Sequence, residues 1–436
     1  MRIMWMLALP AIAGCASATA TRSRDYDAML GELGRPAPAR ELAFGDHLDR
    51  AAVIRAVLAG NPGLDAARAA YRAAVADVAT AGTFEDPRLS YELAPLSIAG
   101  SAPFGQRVQL SQKLPFPGKR GLAGDAAVAD AAVAREDLRG LQLDLAALAS
   151  AAFDAYTLAE QAIDVAEHHH AVIEQMKQAS QAQLAAGRGS TQDALAAEVE
   201  LGRIGQEHLM VEAERARVVA RLNGLLHRDP EAPLPPPRVE ELSTAPPPSL
   251  AELVRIAAER PDAAAATERL HGREAQLALA DRASYPDLEL MGSYDSMWDM
   301  PEHRWMLGIA IDLPLQRGKR AAAEDAARLR TVQATAEVER VRSDIRVDVF
   351  RARRDVEESL ALVALNETRI VPAAQAQVEA ALAGFVTGRN DFSVVLAAER
   401  GQRELQLTAL RARAELSRRR ATLDRAVGRL PGGGAP

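Results

Sequence analysis

A chain of 436 residues with 48% hydrophobic but only 4% aromatic side chains, much of its apolar count alanine, favours long, closely packed helices over one thick core. A net charge of −7 and a pI near 5.8, with no stripe of Lys and Arg interleaved with aromatics, argue against a nucleic-acid partner. The single cysteine, Cys15, excludes an intramolecular disulfide.

At the N-terminus, Arg2 precedes an apolar run from Ile3 to Ala13, and Ile12-Ala13-Gly14 leads straight into Cys15. This predicts a signal peptide over 1–14. Ile-Ala-Gly-Cys also resembles a bacterial lipobox, which implies that Cys15 becomes the acylated N-terminus. No other stretch reaches the about 20 apolar residues of a membrane helix. The chain is therefore expected to be exported and not to cross a membrane as helices. Residues 15–45 are polar and irregular and read as an extended segment.

A first structural repeat is expected over 46–228. Helical patterning from Asp46 to Ala81 is interrupted at Asn61-Pro62. Alternation then predicts strands at about 87–94 and 106–114, with Leu89, Tyr91 and Leu93 opposing Arg88, Ser90 and Glu92. Pro115 and Pro117 stop the second strand. Gly118-Lys119-Arg120 opens a helix reaching about Gly187, roughly 100 Å at 1.5 Å per residue. Leu141, Leu145, Leu148, Ala152 and Ala155 read as its apolar seam. The break Gly187-Arg188-Gly189-Ser190 turns the chain into a returning helix capped by Ser190, closing a helical hairpin over 119–228.

Eight prolines in the linker 229–249 make it stiff and non-helical. A second repeat is expected over 250–428, with strands at about 286–294 and 304–313 and a helical hairpin over 319–428. Its seam is Val338, Val341, Ile345, Val349, Ala352, Val356, Leu360 and Val363, with a kink expected at Pro372. LPFPGKRGLAGDAA is answered by LPLQRGKRAAAEDAA. The offset stays at 199, 200 and 201 residues at the Pro87/Pro286, Lys119/Lys319 and Gly187/Gly388 landmarks, which reads as a duplication. Residues 429–436 read as a disordered tail.

Together the lipobox, the duplication, the strands ending in LPFPGKRG and LPLQRGKR, and the run IVPAAQAQVEAALAGFVTGRNDFSVVLAAER make the mature chain resemble the TolC family of outer-membrane efflux proteins. The resemblance implies a mainly α fold with a membrane β-barrel, in a homotrimer. Each protomer would give four strands to a 12-stranded barrel and its long hairpins to a periplasmic α-barrel. It also implies a passive exit duct served by a periplasmic membrane-fusion adaptor and, indirectly, an inner-membrane resistance–nodulation–division pump. SMWDMPEHRWMLGIAIDLPL with LPFPGKRG resembles the heavy-metal-cation branch. Drug or polypeptide export through the same kind of duct, or a periplasmic coiled-coil scaffold lipoprotein without transport, are the alternatives. The strands independently favour a barrel, since four amphipathic strands of about ten residues suit an outer-membrane sheet that cannot close alone.

By that resemblance the helix breaks are adaptor-docking tips and a constriction, formed by Gly187, Arg188, Ser190, Asp193, Gly388, Arg389, Asn390 and Asp391. Plain turn chemistry also explains their Gly and Asn. Many relatives carry aspartates where this chain has Val394 and Ala397, which leaves Asp193 and Asp391 as the nearest acids. At the strand–helix junctions, Gly118, Lys119, Arg120 and Gly318, Lys319, Arg320 lack the upstream glycine and the Ser/Thr of a phosphate loop. They read either as contacts to outer-membrane lipid headgroups or as solvated helix starts. His168-His169-His170 point about 100° apart on a helix and cannot converge on one ion. Met297, Met300, His303 and Met306, with Met291 nearby, offer soft ligands for Cu(I) or ordinary interfacial packing. HExxH, CxxC and GxSxG are absent, so neither an enzyme nor a cofactor is expected.

Overall fold

A computed structural model of the protein describes residues 44–95, 105–186 and 189–431, with Met29, Gly31 and Glu32. The expected leader, Cys15, most of the segment before Phe44, Gly187, Arg188 and the tail beyond Pro431 lie outside the described residues.

The elements run α1 (Arg50–Gly60), α2 (Pro62–Ala81), β1 (Arg88–Leu93), β2 (Gln106–Leu114), α3 (Lys119–Ala185), α4 (Thr191–Leu225), α5 (Leu250–Ala257), α6 (Pro261–Arg282), β3 (Leu288–Asp295), β4 (Trp305–Ile311), α7 (Arg317–Leu365), a π turn (Asn366–Ile370), α8 (Val371–Val386) and α9 (Phe392–Ala426). The chain forms two compact units. One is built chiefly from Ala66–Leu138 and Asp262–Val341, the other chiefly from Arg139–Pro261 and Arg342–Pro436.

In the first unit the four strands form one antiparallel sheet in the order β1-β2-β3-β4. Leu89 sits opposite Leu110, Leu110 opposite Gly292, and Gly292 opposite Leu307, so side-chain alternation is in phase across all four strands. In the same unit the helices pack on one another through small residues. Tyr71 and Val75 of α2 bury onto Ala131 and Ala132 of α3. A Cβ at Gly272 of α6 would stand 3.2 Å from the Ala129 methyl, so glycine permits that close approach.

In the second unit the seam of α3 is rotated from its expected position. Leu145, Ala149, Ala152, Phe153 and Tyr156 are buried, whereas Leu148 is 44% exposed. The two aromatic rings carry more apolar area than a leucine and pull the buried stripe to their side. The seam of α7 lies as expected, with Val338, Ile345, Val349, Ala352, Val356 and Val363 all buried.

The helix interruption also moves. Instead of a kink at Pro372, α7 passes into the π turn, and Pro372 lies in the first turn of α8. The helix does not break there, so the missing N–H of Pro372 leaves out one backbone bond just after the π turn. The proline-rich linker is pinned rather than free. The Leu48 amide donates to the Pro236 carbonyl and the Arg238 amide to the Leu48 carbonyl, both at 2.9 Å. Asn223 Nδ2 donates to the carbonyls of Pro230 and Ala232.

Candidate functional site: a two-faced sheet, its helix junctions and the helix tips

One face of the sheet is apolar and uncovered. It carries Leu89, Tyr91 and Leu93, then Val108 and Leu110, then Leu288, Leu290 and Tyr294, then Trp305, Leu307, Ile309 and Ile311. Most of these are well exposed, and Leu307 is 95% so. The other face is polar. There Arg107 is 2.8 Å from Asp295 and 3.5 Å from Glu92, among Arg88, Gln109, Lys113, Glu289 and Ser293. Met291 and Met306 are the two thioethers on that side. Rings sit at both ends of the sheet: Tyr294 against Trp305 at 5.1 Å, and Phe116 stacked on Tyr285 at 4.6 Å. Strands β1 and β4 are its edges. An apolar band between aromatic levels, polar behind, is the pattern of an outer-membrane strand set.

The first strand–helix junction is a clamp built on Lys119. Its Nζ donates to Asp287 Oδ1 at 2.8 Å and to the Tyr285 carbonyl at 2.9 Å, and the Phe116 amide donates to the same Asp287 oxygen. Burial opposes the charge on Asp287, but Lys119 and the Phe116 N–H outweigh it and hold the carboxyl below its ordinary range. Arg120 is drawn inward as well, over the Phe84 ring at 3.6 Å and donating to the Gly82 carbonyl. Gly118 takes φ +90°, a conformation that glycine supplies without strain. The second junction differs. Arg320 donates to the Ala283 carbonyl, while Lys319 and Gly318 are exposed.

At the first tip, Ser190 Oγ accepts from the Gln192 amide at 3.1 Å, and Asp193 lies in the first turn of α4. At the second, Gly388 turns the chain with φ +73°. The amides of Arg389 and Asn390 both donate to the Gly384 carbonyl. Asn390 Nδ2 donates to the Ala381 carbonyl, and Arg389 to Thr387 Oγ1. Asp391 caps α9 by position but makes no side-chain cap bond, and it is exposed. Sequence patterning missed the apolar residues exposed near these turns: Leu195 and Val199 on α4, and Leu382 and Val386 on α8. The i, i+4 pair Leu195/Val199, lying off the buried stripe of Ala197 and Ile204, was the available signal.

The methionine-rich stretch spans the β3–β4 connection and the start of β4. Met297 and Met300 are exposed in the β3–β4 connection, His303 stands edge-on to Trp298 at 6.0 Å, and Met306 is paired opposite Ser293 within β4. Among the described residues no group of three or more His, Cys, Asp or Glu could hold a metal ion.

The second half of the chain, residues 253–429, matches the family model described as outer membrane efflux protein. The matched portion includes β3, β4, α7, α8, α9 and the Gly388 turn. Solved structures share the fold of nearly the whole chain. CusC, described in terms of folding and transmembrane channel formation, is 19% identical with a TM-score of 0.76, over 91% of this chain and 97% of its own. The outer-membrane channel OprN is 23% identical with a TM-score of 0.72, over 95% of each. The outer membrane protein VceC of Vibrio cholerae is 18% identical with a TM-score of 0.71, over 87% of this chain and 96% of its own. No curated protein matches the chain.

Proposed function

We propose that the protein is the outer-membrane exit duct of a tripartite efflux system, a homotrimer that passively conducts heavy-metal cations. One observation carries the duct reading: a four-stranded sheet with an exposed apolar face, a charged opposite face and two unpaired edges. In hydrocarbon an unpaired edge leaves backbone groups unsatisfied at several kcal/mol each. Pairing β4 of one copy with β1 of the next removes both edges, and three copies give twelve strands. The apolar face then meets lipid, and the Arg107, Glu92 and Asp295 face lines the water path. A water-soluble scaffold has no use for that apolar face.

The tips are the docking ends for a periplasmic adaptor, which links the duct to an inner-membrane resistance–nodulation–division pump. The apolar residues beside them supply contact area and Arg389 and Asp391 supply charge. Asp193 and Asp391 are the acids placed to bias the constriction toward cations. The cargo assignment rests on the likeness of the SMWDMPEHRWMLGIAIDLPL stretch to the heavy-metal branch, with drugs or polypeptides as the alternative cargo.

Two measurements test the proposal. Purified protein in mild detergent should be a trimer by native mass spectrometry and should need detergent, not salt, for extraction. A monomer, or salt extraction, would refute the duct. Deleting the gene should sensitise cells to copper, silver, zinc, cobalt or cadmium. Sensitisation to drugs alone, or loss of a secreted polypeptide, would refute the cargo and leave the duct standing.

A further inference from the structure

In the second unit, α3 buries His169 within an apolar stripe. Ala162, Ala166 and Ile173 are buried at helical spacing around His169, which is 2% exposed. Ala166 and Ile173 pack with Ala197 and Ile204 of α4 and with Phe392 and Leu396 of α9. Both imidazole nitrogens meet α9. Nδ1 lies 3.3 Å from Glu399 Oε2, and Nε2 lies 3.0 Å from Gln406 Oε1. Glu399 is itself buried.

The surrounding charges are already matched. Glu200 of α4 accepts from Arg400 at 2.5 Å and from Arg403 at 3.1 Å, and Arg403 lies 3.2 Å from Glu207. Lys177 of α3 pairs with Glu198 of α4, and Glu367 of the π turn with Arg413 of α9. His168 and His170 flank His169 but are exposed on other faces of α3. None of these groups takes the place of a proton on His169.

A neutral imidazole has one N–H and an imidazolium has two. With a carboxylate oxygen on one side and an amide oxygen on the other, only the imidazolium donates to both. The bond to Glu399 is then charge-assisted and about twice as strong as a neutral one. Rotating the Gln406 amide lets a neutral ring accept there, but the link to Glu399 loses its charge. We infer that His169 is a pH-sensitive clamp between α3 and α9: protonated, it ties Glu399 and Gln406 to the first hairpin, and deprotonation loosens that tie.

The clamp requires neither a barrel nor a cargo, so it is tested on the full-length protein in detergent by hydrogen exchange, with rates corrected for intrinsic pH dependence. Peptides from residues 162–176 and 396–410 should be better protected at pH 5.5 than at pH 8.0. The expected gain is about tenfold, the size of one charge-assisted hydrogen bond. His169→Gln keeps an amide donor but does not titrate, and should flatten the difference. Glu399→Gln should also shrink it, and serves if His169→Gln fails to fold. Peptides from α2 should show no corrected difference in any of the three proteins. Equal protection of wild type at both pH values would overturn the inference. So would a gain that persists in His169→Gln, or one that is lost only in Glu200→Gln.

Discussion

Leu307 gives a sharp test of which face of the sheet meets lipid. It lies mid-strand in β4, opposite Gly292, and is 95% exposed. Leu307→Arg places a guanidinium on the apolar face. Near a bilayer midplane that costs about 2–4 kcal/mol, or roughly a 30- to 700-fold fall in the folding equilibrium at about 1.4 kcal/mol per factor of ten. If the face met water, an exposed surface change would stay within about 0.5 kcal/mol. The matched variant is Ala310→Arg, on the polar face directly opposite Glu289. There a new cross-strand ion pair should be neutral or stabilising, by about 0.2–1 kcal/mol. Both are measured by urea titration of the protein in lipid vesicles, following Trp298 and Trp305 fluorescence and trimer mobility on gels. Equal costs on the two faces, or a costless Leu307→Arg, would refute the assignment of faces.

Glu200 has a 1% exposed side chain and faces Arg403, itself 4% exposed. Breaking a buried pair on one side costs about 3–5 kcal/mol, so Glu200→Gln should lower the urea midpoint by an amount near the bottom of that range, since Arg403 keeps Glu207. Burial opposes the charge on Glu200, and Arg400 and Arg403 outweigh it, so its pKa is depressed from 4.5. The deficit should be full at neutral pH and should shrink only as pH falls below 4.5 through the depressed value; a deficit unchanged at pH 3 would assign the loss to packing. Gly388 has open space around its Cβ position but φ +73°, so Gly388→Val suffers backbone strain of about 1–2 kcal/mol and no clash. Trimer content by native mass spectrometry should persist while adaptor cross-linking from position 389 fails, and loss of the trimer would contradict the proposed separation of assembly from docking. Intact-mass analysis should find an acylated N-terminus at Cys15, and Cys15→Ser should leave the duct largely functional, because one lipid anchor adds little to a protein already held by a barrel.

Local pattern revealed the periodic parts of this fold. The alternation of Leu89/Tyr91/Leu93 and of Trp305/Leu307/Ile309/Ile311 marked the strands and their faces, and the glycines at 118 and 388 marked the turns. What pattern could not supply were partners far apart in sequence. Gly-Lys-Arg at a helix start looks solvated until the β2–β3 register brings Asp287 beside Phe116. The α3 seam looked leucine-based because Leu148 fits the spacing as well as Phe153 does, and only packing against α1 and the linker chooses between them. Three consecutive histidines hide the important one, because nothing local says that the middle ring will meet Glu399 and Gln406. The tip residues were legible as turns, but the apolar surface beside them was not, because exposure depends on which neighbours a helix acquires.

The π turn at Asn366–Ile370 sets the phase of the helix that follows it. From Lys319 to Gly388 the sequence is one residue longer than from Lys119 to Gly187. An inserted residue in a continuous α-helix would swing everything after it by about 100°. A single turn closed i to i+5 holds one extra residue in place. Downstream, Val378 and Ala381 therefore still meet Val395 and Ala398. Trimming one residue from 366–370 should therefore leave one uninterrupted α-helix in phase with α9.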